Sequence, residues 1–144
     1  MCRRFNGYSY AITITLKGAY AIRSLASNFD KQYQLFKNII SNIIHKYASE
    51  YCFYFELHKC GEWLHTHGVI NLKKVSYLNK IKSETFLQIE KKQLEKYKSY
   101  KTRICMDKIS DIMNWYNYIS KDENSILEFS NNQYKKIYCY QKLI

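Results

Sequence analysis

The chain has 144 residues, is 47% hydrophobic and carries a formal charge of +11, with 23 Lys and Arg against 12 Asp and Glu. These proportions exclude a disordered chain and predict one domain over residues 1–144 with a core of its own. No run approaches the ~18 apolar residues of a membrane span, and no secretory leader pattern opens the sequence.

The five cysteines are widely spaced with no C-x-x-C pair, which fits a reducing intracellular compartment better than a disulfide scaffold. The positive excess attracts polyanions, nucleic acid first and an anionic membrane surface second. There is no G-x-x-x-x-G-K-[ST], so the chain encodes no P-loop nucleotide site.

Taken in order, residues 8–16, YSYAITITL, alternate and are β-branched, which predicts a strand. Asp30 is the expected cap of a helix to about Ala48, with Leu35, Phe36, Ile39, Ile40, Ile43 and Ile44 at helical spacing. Residues 51–59 and 64–72 read as two strands joined as a hairpin by a turn at Gly61. Residues 76–98 are Lys-rich and helical with one or two breaks, 100–107 form a fourth strand, 108–121 a helix, and KKIYCYQ a last strand. The order β-α-β-β-α-β-α-β predicts an α+β fold, an antiparallel sheet of about five strands flanked by helices.

The hairpin FELHKCGEWLHTHGVI holds three of the four histidines. His65 and His67, two apart, share one strand face with Thr66 on the other. On the preceding strand Glu56 shares a face with Cys52, Tyr54 and His58, opposite Phe53, Phe55 and Leu57. Glu56 can therefore lie across from the histidine pair. One oxygen donor and two imidazoles leave positions open for water or phosphate and suit Mg²⁺ or Mn²⁺, with His58 as an accessory candidate. Two other readings stand beside this one: a structural zinc site recruiting Cys60 and His58, and a solvated Glu56 beside surface histidines.

On the helix expected at 108–121, Ile109, Ile112, Met113, Tyr116 and Ile119 form the apolar stripe. Tyr118 projects away from it, with Lys121 and Asp122 one turn later. A phenol is a poor nucleophile at neutral pH, with a pKa of about 10. A nearby ammonium and a metal-polarised phosphate would favour its attack.

In this order and spacing, AITITL (11–16), HTHGVI (65–70) and YISKD (118–122), with the acid of FELH (55–58), resemble the three motifs of the HUH endonucleases. The likeness is specifically to the replication-initiator (Rep) proteins of rolling-circle single-stranded DNA viruses, of the geminivirus and circovirus kind. The resemblance covers about residues 8 to 125. It implies an RRM-like sheet flanked by helices and metal-dependent nicking and joining of single-stranded DNA at an origin hairpin loop. Glu56, His65 and His67 would hold the ion, Tyr118 would form the 5′-phosphotyrosine, and Lys121 would assist. Many viral Reps continue into a superfamily 3 helicase domain; none is read in this sequence, which is expected to be either a nuclease domain cut from a longer protein or a short stand-alone Rep. Lys59, Lys73, Lys74 and Asp122 are the candidate DNA contacts, and self-association or replication proteins the candidate further partners. The expected location is intracellular, the host nucleus for a eukaryotic virus. Single-tyrosine transposases share the H-x-H and helical tyrosine but pair it with Gln four residues on, where this chain has Asp122. A non-catalytic RRM-like binding module and a zinc-stabilised domain are the readings from other classes.

Overall fold

The computed structural model of the protein describes residues 9–57, 61–91, 103–109, 111, 114 and 125–130; for Tyr20 and residues 125–130 it gives the backbone alone. The strands are β1 (Ser9–Thr15), β2 (Ala48–Leu57), β3 (Leu64–Leu72), β4 (Ile104–Lys108) and β5 (Ser125–Ser130). They form one sheet in the order β4-β1-β3-β2-β5, and every pairing is antiparallel. The expected α+β class, a sheet flanked by helices, is what the chain adopts.

Strict alternation gives each inner strand two faces. Ile12, Ile14, Phe53, Phe55, Ile70 and Ile104 are fully buried. Their face is covered by helix α1 (Phe29–Ile39) and helix α2 (Leu78–Glu90), through Phe36, Ile39, Ile81 and Ile89. Phe55 takes the edges of Tyr33 and Phe36, with ring centroids 5.2 and 5.5 Å away. Helix α1 continues through a π-helical turn, Ile40–Ile44, and a last α turn, His45–Tyr47. The isoleucines foreseen at helical spacing are buried there. Tyr47 donates to Glu84 and Lys46 reaches the same carboxylate at 3.0 Å, which ties the end of this helix to α2.

Several boundaries differ from the sequence expectation. The cap of α1 is Asn28, not Asp30: the Asn28 side chain accepts from the Lys31 N–H, which satisfies an amide that the first turn cannot. Strand β2 begins at Ala48, directly where the helix ends. A 3₁₀ segment, Tyr20–Leu25, joins β1 to α1 and was not expected. Helix α2 stops at Glu90 because Lys91 turns left-handed, with φ 53°. Lys108 belongs to β4, so no helix begins at 108, and the Asp111 carboxylate accepts from the Asn114 N–H as a cap does; the remaining residues of the expected helix lie outside the described ones. The strand at Ser125–Ser130 was not expected. KKIYCYQ lies outside the described residues.

Two polar knots lock the end of the sheet nearest His65. Gln32, fully buried, donates to the carbonyls of Leu25 and Glu62 at 2.7 and 2.9 Å and accepts from the Leu64 N–H at 2.7 Å. Arg103 pairs with the buried Glu90 at 2.6 Å and donates to the carbonyls of Lys17 and Gly18. No helix among the described residues is long and apolar enough to cross a membrane.

Candidate metal centre

Strand β3 is the middle of the five strands, so its polar face is flanked on both sides. That face presents His65 and His67, both half-buried, while Leu64, Thr66 and Gly68 turn into the core. On the β2 side, Glu56 lies directly opposite His65, and Tyr54 opposite His67. On the β1 side, Thr15 faces His65 and Thr13 faces His67.

Directly opposed residues hold their Cβ atoms about 5 Å apart, and diagonal neighbours about 7–8 Å. A glutamate has the length to serve both positions, and Glu56 does. Its Oε1 lies 2.5 Å from His65 Nε2 and 3.0 Å from His67 Nε2. The two imidazoles meet edge-on with centroids 4.7 Å apart. One ligand atom from each of the three residues lies within 4.8 Å of the others, and this is the one such cluster among the described residues.

The donor set fits a divalent ion. Side-chain exposures of 23% for Glu56 and 16% for each histidine leave the cluster half-open rather than sealed. Burial and the neighbouring His65 hold the His67 imidazole below the ordinary histidine range, against the pull of the Glu56 carboxylate. A ring kept neutral offers a lone pair to an ion. His67 Nδ1, on the far side of the ring, sits 2.9 Å from Thr13 Oγ1. Among the described residues the cluster has three donors and no thiolate; the residues of the zinc alternative, Cys60 and His58, lie outside them.

The residues foreseen from sequence separate into three groups. Glu56, His65 and His67 come together as the strand alternation requires. Lys73 and Lys74 are exposed, but they follow the far end of β3, about 20 Å along the strand from His67. There Lys73 Nζ donates to the Lys46 carbonyl and Lys74 lies 5.7 Å over the Tyr77 ring. His58, Lys59, Cys60, Tyr118, Lys121 and Asp122 lie outside the described residues, as does Tyr116. Sequence reasoning missed Thr13, which backs His67, and Gln32, which anchors Leu64 beside His65. The alternation of AITIT puts Thr13 on the polar face, but only the β1–β3 register pairs it with His67. No protein-family model matches this chain, and no curated protein matches it.

Proposed function

We propose that this protein is a divalent-metal-dependent enzyme that nicks and rejoins single-stranded DNA, of the rolling-circle initiator type. The observation that carries this reading is the convergence of Glu56, His65 and His67 on a half-open sheet face, with ligand atoms within 4.8 Å of one another. The net charge of +11 suits a polyanionic substrate.

Covalent geometry is compatible with Tyr118 as the nucleophile. Ser125 pairs with Glu56 across β2 and β5. Tyr118 precedes Ser125 by seven residues, so even a fully extended chain holds it within ~25 Å of that position.

In the proposed reaction Tyr118 Oη attacks the scissile phosphorus and the P–O3′ bond breaks. The phenolic proton leaves to solvent, the released O3′ takes up a proton, and a 5′-phosphotyrosine remains. The Lys121 ammonium stabilises the phenolate. Glu56, His65 and His67 hold the ion, which supplies neutralisation and polarisation of the phosphate when bound. Attack of a 3′-OH on the phosphotyrosine restores the phosphodiester and frees the tyrosine.

On the polar face, β1 and β3 place Ala11, Thr13, Thr15, His65 and His67, and β2 places Tyr54 opposite His67, so among the described residues of these strands one aromatic ring stands beside the cluster, where a stacking module uses several. The test uses 3′-labelled single-stranded oligonucleotides with hairpin loops, incubated with Mn²⁺. Label should become bound to the protein through denaturing electrophoresis. The adduct should vanish with EDTA or Tyr118→Phe and survive Tyr116→Phe. An adduct that persists in Tyr118→Phe removes the assigned nucleophile. Label that never attaches across a library of loop sequences overturns the nickase reading.

A further inference from the structure

We propose that Thr13 is a positioning residue that holds His67 through Nδ1 in either tautomer and so supports the affinity of the site for its ion. The inference rests on the metal reading of Glu56, His65 and His67. It adds a residue from a strand remote in sequence from the ligand hairpin.

The argument begins with the two nitrogens of one ring. His67 Nε2 lies 3.0 Å from Glu56 Oε1, a distance at which a carboxylate needs a proton between the two atoms. Without an ion, Nε2 therefore carries the hydrogen and donates to Glu56. Nδ1 is then the acceptor, and the Thr13 hydroxyl, at 2.9 Å, donates to it. When an ion takes the Nε2 lone pair, the ring's one hydrogen must sit on Nδ1. The same hydroxyl then accepts. No proton is gained or lost by the ring; it moves from one nitrogen to the other, and the threonine O–H rotates to match.

A hydroxyl serves both states because it donates and accepts. A carbonyl behind Nδ1 would favour the ion-bound tautomer alone, and a backbone N–H the ion-free one alone. An aliphatic side chain would serve neither, because it removes the hydroxyl from Nδ1 in both states. The Thr13 side chain is on the polar face, half-buried, between His67 on β3 and Cys105 on β4.

Thr13→Val keeps the shape and the strand propensity and removes only the hydroxyl. Outer-shell partners of this kind typically govern metal affinity by 10–100-fold. The experiment measures Mn²⁺ affinity by titration for the wild type, Thr13→Val, Thr13→Ser and Thr15→Val. In parallel, long-range ¹H–¹⁵N spectra of the histidine rings are recorded with and without Mg²⁺. The expected result is a loss of about tenfold or more in Thr13→Val, near-wild-type affinity in Thr13→Ser, and little change in Thr15→Val. In the wild type the His67 hydrogen should move from Nε2 to Nδ1 on metal addition. Equal affinity of Thr13→Val and wild type overturns the proposal, as does a matching loss in Thr15→Val, which would mark a general effect of strand β1. A wild type that binds no divalent ion overturns the metal reading itself, and the wild-type titration alone decides that.

Discussion

Gly68 follows the second histidine and faces the core, and it is the position where the smallest added atom should do most damage. Its backbone is not in the left-handed region, so conformational freedom is not what it supplies. What it supplies is space. A Cβ there would stand 2.6 Å from Phe53 Cδ1, 2.7 Å from Phe53 Cε1 and 2.7 Å from the Cys52 carbonyl oxygen. Gly68 and Phe53 are direct cross-strand partners, and Phe53 is fully buried. The ring is fully buried, and the carbonyl cannot retreat without moving β2. Overpacking of this kind typically costs ~1–3 kcal/mol. For a chain of this size each kcal/mol lowers the melting temperature by about 2–4 °C, so Gly68→Ala should melt about 2–12 °C below the wild type in EDTA. Adding Phe53→Leu removes the ring contacts and leaves the carbonyl contact, so the double variant should show a favourable coupling but incomplete recovery. Thermal unfolding followed by circular dichroism reads both. A Gly68→Ala protein that melts with the wild type, or a double variant whose losses simply add, would refute the packing argument.

Gln32→Leu should be among the most damaging single changes away from the cluster. It strands the carbonyls of Leu25 and Glu62 and the Leu64 N–H, and each buried group so left costs about 1–3 kcal/mol where water cannot replace the bond. A urea midpoint unchanged from wild type would show that water does replace it. Burial holds the Tyr51 phenol above the ordinary tyrosine value, and it contacts His45 Nδ1 at 3.0 Å. The folded state therefore keeps a proton that the unfolded chain releases at about pH 10, and stability contributed by Tyr51 falls as pH rises through and above that value. The difference in urea midpoint between wild type and Tyr51→Phe should shrink or reverse between about pH 9 and pH 11, and a constant difference would refute the assignment.

The parts of this fold that were legible in the sequence are those set by local alternation. Strand β3 spans the residues expected of it, because LHTHGVINL alternates and is bounded by a turn and lysines. The faces of β2 were legible for the same reason: Phe53 and Phe55 are buried, and Glu56 is on the side of the histidines. Helix ends were less so. Asn28 and Asp30 are both good caps by residue type, and only the bond from the Lys31 N–H distinguishes them. The support of the cluster was not legible at all. Thr13 and Gln32 act through pairings with residues 54 and 32 positions away, and no local pattern encodes such register. The spacing of the candidate ligands Glu56, His65 and His67 was visible because it is confined to one hairpin, whereas the strand at Ser125–Ser130 carries no comparable alternating run of β-branched residues.

That confinement has a kinetic side. Glu56 and His67 are 11 residues apart, so bringing the donors together costs the closure of one short loop, and hairpins form in microseconds. Thr13 arrives from 54 residues away, through the non-local pairing that slows sheet proteins. The donor set is thus available to an ion in a chain whose sheet is unfinished. An ion that engages such partly folded chains divides its binding energy between them and the native state. Added metal should then raise the melting temperature by less than its affinity for the finished site implies.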